Sequence, residues 1–199
     1  LAVADGVGGW RKRGVDPSLF SNQLMASLQG VAKSDSNSPL ELLRKAFWQL
    51  VDLNHQGKVE TPGSSTACLA VIDTSCHGMA VCNVGDSGLM VVRQNADGQD
   101  EIVFRTTTQQ TTFNAPLQLT LFPGAKGHVL DPTGQAENTK IKVQTGDIII
   151  LATDGLFDNL FPQDITAVVA ECRRGGAQRI ADALVTQAYR ASLRTDTNT

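Results

Sequence analysis

Three aspartates recur in one local setting, each just past an apolar run and beside a glycine: Ala4-Asp5-Gly6, Val84-Gly85-Asp86-Ser87 and Thr153-Asp154-Gly155. A carboxylate at a strand end keeps its backbone on a rigid element, while the neighbouring glycine bends the chain away and leaves room for a ligand. One Asp-Gly pair is ordinary turn chemistry. Three in the same context suggest carboxylates gathered on one edge. An oxygen-only, anionic pocket of that kind is costly unless hard cations neutralise it, and magnesium or manganese would suit it. Asp158 follows Asp154 by four residues, about one helical turn, and is a candidate for the same pocket.

Gly85-Asp86-Ser87-Gly88 has a rival reading, because the same four residues mark the nucleophile of chymotrypsin-like proteases, whose serine needs a histidine base and an orienting aspartate. The available histidines do not support it. His55 sits at a helix end, His77 beside a strand turn and His128 after the supposed nucleophile, and Leu89 stands where that signature carries another glycine. None of the three has metal-ligand spacing. Cys68, Cys76, Cys82 and Cys172 form no C-x-x-C pair and read as buried, reduced thiols of an intracellular protein. The basic run Arg11-Lys12-Arg13 could bind phosphate, although a solvated charged loop is the plainer reading.

These residues need elements to hold them. Leu1 to Asp5 reads as a short buried strand and Gly6 to Gly9 as a turn. A helix is expected from Pro17 to about Lys33, with Leu19, Phe20, Leu24, Leu28 and Val31 at helical spacing, and a second from Pro39, with Leu40, Leu43, Phe47 and Leu50 on one face. The polar residues 34–38 separate them. From Ser64 the pattern changes to strands: Ala67 to Ile72, Met79 to Val84, Leu89 to Val92 and Ile102 to Phe104, joined mainly as hairpins, with Asp97-Gly98 as the strongest turn signal. Thr106 to Pro116 reads as a long irregular stretch. Leu117 to Leu121, Thr139 to Val143 and Ile148 to Thr153 resume the strands, the last two around the turn Thr145-Gly146-Asp147. A helix from Pro162 is expected to stop at Arg173-Arg174-Gly175-Gly176, and Ala177 to Leu193 makes the last, with Ile180, Leu184 and Ala188 on one face. Helices, then antiparallel strands, then helices point to an α+β fold.

The chain has 199 residues, enough for one domain. Hydrophobic residues make up 41% and charged residues 19%, which is ordinary globular usage. Seventeen Lys and Arg against 20 Asp and Glu give a net charge of -3, so no global positive field exists and nucleic acid is not expected as the main partner. The longest apolar run, Ile148 to Ala152, is far shorter than the roughly 20 residues that span a bilayer, so no membrane span is expected. The opening Leu1-Ala2-Val3-Ala4 and the polar end Thr195 to Thr199 read as the ends of a fragment.

Taken in order, Val3-Ala4-Asp5-Gly6-Val7-Gly8-Gly9, Gly63-Ser64-Ser65-Thr66-Ala67, Asn83-Val84-Gly85-Asp86-Ser87 and Ala152-Thr153-Asp154-Gly155-Leu156-Phe157-Asp158-Asn159 resemble the motifs of the metal-dependent protein phosphatase 2C (PPM) family. Trp10, Gly14-Val15-Asp16-Pro17, Gln109-Gln110 and Phe113-Asn114-x-Pro116-x-Gln118-Leu119 resemble its mitochondrial branch, related to the T-cell activation phosphatase homologue.

That resemblance implies a four-layer α-β-β-α sandwich of two central antiparallel sheets flanked by helices. It implies one catalytic domain over residues 1–199, incomplete at both termini and lacking the terminal strands. The implied activity is hydrolysis of phosphoserine and phosphothreonine in a phosphoprotein substrate by a water activated at a binuclear Mn²⁺ or Mg²⁺ centre, with no enzyme nucleophile. By the same resemblance, Asp5 bridges the metals, the Gly6 carbonyl ligates one, Asp154 holds the other, and Asp86 and Asp158 match a third, weaker site. A monomer in the mitochondrial matrix is implied too. Three departures stand out. Val7 replaces a histidine that many members carry as a candidate acid. The acidic residue and arginine that the family has upstream of Leu1 are missing. The last metal-binding aspartate, in a G-x-x-D-[ND]-x-T motif, is only mimicked by Asp196-Thr197-Asn198-Thr199. A chain so shortened has an alternative reading as a catalytically impaired, phosphatase-like binding module.

Overall fold

Proline and a capping side chain start each of the first two helices of the computed structural model, which describes residues 1–33, 38–58, 62–122 and 129–194. Helix α1 (Pro17–Val31) opens with Pro17 in its first turn and with the Asp16 carboxylate accepting the Ser18 N–H at 3.0 Å. Helix α2 (Pro39–His55) opens likewise, with Ser38 Oγ accepting the Glu41 N–H at 3.4 Å. The expected loop at 34–37, His128 and the tail 195–199 lie outside the described residues.

The described residues divide into two compact units. The first comprises 1–87 and 107–143. Its four-stranded antiparallel sheet has the order β1 (Ala2–Val3), β3 (Ala67–Asp73), β4 (Gly78–Val84), β11 (Glu137–Lys142). A three-stranded sheet has the order β10 (Val129–Leu130), β9 (Leu119–Leu121), β2 (Gly63–Ser65). Helices α1 and α2 cover this unit's core, where Phe20, Leu24, Leu43 and Phe47 pack with Leu69, Cys82, Leu119 and Leu121. Helix α1 lies so close to β2 that a Cβ on Gly63 would sit 2.5 Å from the Phe20 Cβ.

The second unit comprises 88–106 and the chain from 144 on. Its antiparallel sheet has the order β12 (Ile148–Ala152), β5 (Gly88–Gln94), β6 (Asp100–Arg105). The short helix α3 (Asp154–Phe157) follows β12, and α4 (Pro162–Cys172) and α5 (Gly176–Ser192) complete a core of Met90, Val92, Ile150, Leu156, Ile165, Val169, Ile180 and Leu184. Arg173 turns back from the end of α4 to the Asp100 carboxylate and donates to the Gly146 carbonyl at 2.7 Å. Its charge serves the tertiary structure rather than only the helix terminus. Arg93 grips the buried Asp147 carboxylate with two bonds of 2.8 Å and so holds that carboxyl below the usual range.

Several expectations change. The Thr106 to Pro116 stretch holds a small hairpin, β7 (Gln110–Thr112) and β8 (Ala115–Pro116), turned by Asn114 at φ 54°. The strands at 63–65 and 129–130 escape detection because they are two or three residues long, too short to show a period. The β3–β4 and β5–β6 hairpins form as expected, but β11 pairs with β4 and β12 with β5, so the turn at 145–147 joins two sheets rather than closing a hairpin. Leu1 and Leu19 are exposed rather than part of the core, and so is Cys76, whereas Cys68, Cys82 and Cys172 are buried thiols. No helix among the described residues is long and apolar enough to cross a membrane.

Candidate metal centre

In the first unit the buried polar run Ser64-Ser65-Thr66 clamps the backbone of Asp5. Asp5 donates its N–H to Thr66 Oγ1 at 3.2 Å, and its carbonyl accepts from the Thr66 N–H at 3.0 Å and from Ser65 Oγ at 2.9 Å. Gly6 bridges to Ser65, and Val7 donates to the Ser64 carbonyl at 3.0 Å. Only glycine fits at position 6, because a Cβ there would lie 2.0 Å from the Pro17 carbonyl oxygen.

Asp86 is reached from the other side of Thr66. Gly85 adopts φ 102°, and a Cβ on it would meet Thr66 Cγ2 at 2.6 Å and the Leu117 carbonyl at 2.7 Å. Gln109 holds that turn by both backbone groups, accepting from the Gly85 N–H at 3.2 Å and donating its own N–H to the Gly85 carbonyl at 2.9 Å. Asn83 Nδ2 donates to the same carbonyl at 3.2 Å. Asp86 is buried, and the adjacent Ser87 Oγ lies 2.6 Å from Thr66 Oγ1. One buried hydroxyl therefore links the Asp5 segment to the Asp86 segment. Ser87 has a threonine as its hydroxyl partner rather than a histidine, which removes the protease reading.

In the second unit Asp154 begins α3 directly after β12, and the Asp158 N–H donates to the Asp154 carbonyl at 2.8 Å, the single helical turn that the spacing predicts. Leu156 anchors this turn in the core. Burial, and then the Asp154 carboxylate, push the Asp158 carboxyl above its ordinary range, against the pull of Arg105. Arg105 is held 5.3 Å over the Phe157 ring. Gly155 differs from Gly6 and Gly85, since a Cβ there makes only an ordinary 3.5 Å contact with Thr153 Oγ1.

The donor set, carboxylates and one backbone carbonyl, suits a hard divalent cation. Among the described residues, no three His, Cys, Asp or Glu side chains come together in a group that could hold a metal. The structure unites the Asp5 and Asp86 segments in one unit and Asp154 and Asp158 in the other. In the sequence, Thr66 and Gln109 stand only inside the family and branch motifs, with no positioning role. The polar triple Ser64-Ser65-Thr66 directly before an apolar strand was the available signal.

Comparison with known proteins identifies the family. The family model for stage II sporulation protein E (SpoIIE) matches residues 1–197. The human protein phosphatase PTC7 homolog is 46% identical over 165 residues, covering 80% of this chain and 51% of the relative. The Arabidopsis thaliana "probable protein phosphatase 2C 80" is 38% identical over 192 residues, covering 92% of this chain and 41% of that protein. Among solved structures, the photosystem II phosphatase PBCP superposes with a TM-score of 0.77 at 34% identity, covering 95% of this chain and 67% of that one. The catalytic domain of the serine/threonine phosphatase PstP, solved with two manganese ions, shares the fold at TM-score 0.61 and 18% identity, covering 96% of this chain and 81% of its own. The chain belongs to the metal-dependent protein phosphatase 2C (PPM) family, and its class is the expected α+β with antiparallel sheets. It spans about half the length of the curated PTC7 relatives it matches.

Proposed function

We propose that the protein from which this chain comes is a serine/threonine protein phosphatase, hydrolysing phosphoserine and phosphothreonine in protein substrates with two Mn²⁺ or Mg²⁺ ions. The observation that carries the reading is the placement of aspartates at strand ends in a member of this family, with Asp5 clamped by its backbone and Asp154 opening a short helix off β12. Asp5, the Gly6 carbonyl and Asp154 would hold the two ions, and Asp86 and Asp158 would belong to a third, weaker site. Ions bound there supply Lewis acidity toward the phosphoryl oxygens and acidify water.

The chain's own residues have separate tasks. Thr66 and Ser65 fix the backbone that carries Asp5, so its carboxylate and the Gly6 carbonyl are presented without reorganisation. Gln109 and Asn83 do the same for Asp86 through Gly85. Val7 has no proton to give, so protonation of the departing serine oxygen falls to another group. Residues 1–199 are read as part of one catalytic domain that acts as a monomer. The mitochondrial matrix is proposed from the branch-specific motifs around Trp10, Asp16 and Gln109, and fractionation of the full-length protein into the cytosol alone would exclude it.

The direct test is phosphate release from a phosphoserine peptide by the full-length protein in Mn²⁺, with and without excess chelator. Hydrolysis abolished by chelator and restored by Mn²⁺ is expected. Hydrolysis indifferent to chelator overturns the reading.

A further inference from the structure

The hairpin of β7 and β8 is fastened to the Asp86 turn and holds an aromatic ring out in water. Gln109, the residue before β7, bonds both backbone groups of Gly85, and its side-chain amide also donates to the Gln135 carbonyl at 2.8 Å. On the far side of the hairpin the Leu117 N–H donates to the Gln109 carbonyl at 3.0 Å, and Thr111 Oγ1 donates to the Ala115 carbonyl at 3.1 Å. The hairpin, the Asp86 turn and all of these bonds lie within the first unit. Phe113, at the tip, follows Gln109 by four residues, so no more than roughly 14 Å of chain separates it from the residue bonded to Gly85.

A single exposed apolar side chain is ordinary on a protein surface. Phe113 differs from that ordinary case. It is 98% exposed, more than any other large apolar side chain among the described residues. It is also held in place: Asn114 beside it takes the left-handed φ of 54° that turns the chain, and the bonds on both strands brace the tip, so little ordering remains to be done when a partner covers the ring. Its neighbours serve the fold. The Gln118 side-chain oxygen accepts from Ser64 Oγ, the Gln118 amide donates to the Pro116 carbonyl at 3.1 Å, and Leu119 is buried in the core. A ring left in water contributes almost nothing to that packing. Residues 106–118 carry no charge. A partner at this tip therefore meets an apolar ring among uncharged Thr, Gln and Asn groups, with no cation of the hairpin to draw a polyanion or an anionic membrane surface.

We propose that the β7–β8 hairpin is a docking finger for the substrate, and that Phe113 is a specificity-determining residue that covers an apolar side chain of the phosphoprotein near its phosphorylated residue. The inference rests on the phosphatase reading and gives it a substrate class: segments with an apolar residue about four positions from the phosphorylated one, because an extended chain rises about 3.3 Å per residue and covers the span between the Asp86 turn and the tip in about four steps. The recognition is burial of apolar surface rather than charge pairing, so it is insensitive to salt.

The test uses full-length protein in Mn²⁺ and two phosphoserine peptides that differ only at the fourth residue on either side of the phosphoserine, leucine in one and serine in the other. Wild-type protein should favour the leucine peptide by about fivefold or more in kcat/KM, mainly through KM. Phe113→Ser should bring the ratio of the two kcat/KM values close to unity and Phe113→Leu should keep most of it, with thermal midpoints unmoved because the side chain is exposed. The wild-type preference should hold from about 0.1 M to 1 M salt, where the screening length falls from about 10 Å to 3 Å. A ratio that is the same in wild type and Phe113→Ser, or that vanishes in high salt, overturns the inference and leaves the phosphatase reading standing. An unmoved ratio with loss of binding to phosphatidylcholine vesicles in Phe113→Ser also overturns it and makes the tip a membrane contact. Absence of any Mn²⁺-dependent hydrolysis of an aryl phosphate by wild-type protein overturns the phosphatase reading itself and this inference with it.

Discussion

Thr66 is the side chain on which the Asp5 and Asp86 segments converge, and Thr66→Val removes its hydroxyl while keeping its volume. The native hydroxyl oxygen accepts the Asp5 N–H at 3.2 Å and lies 2.6 Å from Ser87 Oγ, at a residue only 2% exposed. The variant loses both bonds and strands two partners, each at a cost of ~1–3 kcal/mol when buried. The Asp5 amide is only partly buried, so a loss of about 2–4 kcal/mol is expected, or roughly 5–15 °C in Tm for a protein of this size. Thr66→Ser keeps the hydroxyl and deletes one methyl, which costs about 0.5–1.5 kcal/mol. Urea denaturation of the full-length wild type and both variants measures the difference. Because the same bonds fix the backbone of a proposed ligand, the stabilisation conferred by Mn²⁺ should also shrink in Thr66→Val and persist in Thr66→Ser. Equal stabilities for the two variants would mean that the hydroxyl holds nothing together.

Asp147→Asn breaks the two-bond grip of Arg93 on a carboxylate whose side chain is 2% exposed, and should cost about 3 kcal/mol at pH 7. Its carboxyl is held low in the folded state, so this stability is fully present above the unfolded value of about 3.9 and is lost as pH falls through the folded one; urea midpoints of wild type and variant should converge as pH falls through that folded value. Leu184→Ala, at a position 4% exposed in the core under α5, should cost about 2–5 kcal/mol, whereas Val185→Ala, 67% exposed, should stay within about 0.5 kcal/mol in the same denaturation assay. Of this chain's four cysteines, Cys76 alone should react rapidly with an aromatic disulfide in the native state, because Cys68, Cys82 and Cys172 are buried and the Cys68 and Cys82 thiols are pushed up to about 12 by that burial; peptide mapping after brief labelling identifies the thiol.

What could be read from the chain itself was whatever carries a period or a motif. The helices announced themselves through Pro17 and Pro39 in first turns and through apolar spacing in α5, where Ile180, Leu184 and Ala188 are all buried. The turn from Asp154 to Asp158 was legible because helix geometry alone relates residues four apart. The partners of Asp5 were not. Thr66 and Ser87 are 21 residues apart, and their contact depends on how β2, β3 and the Gly85 turn come together. The same limit explains β11 and β12: each was visible as a strand, but neighbouring strands separated by a tight turn usually pair, and nothing local to Thr145-Gly146-Asp147 reveals that these two enter different sheets. The basic run shows the same limit, since the placement of Arg13 5.4 Å over the Trp10 ring cannot be inferred from three consecutive cations.

If metal held by the strand-end aspartates drives phosphoester hydrolysis, phosphate release from a phosphoserine peptide should respond to a Mn²⁺ titration differently in full-length wild type and Asp154→Asn. Saturable Mn²⁺ activation is expected of the wild type, and for Asp154→Asn a kcat/KM lower by about 10²-fold or more with a higher Mn²⁺ requirement. An Asp154→Asn protein that folds, saturates with Mn²⁺ at the wild-type concentration and turns over at the wild-type rate would contradict it.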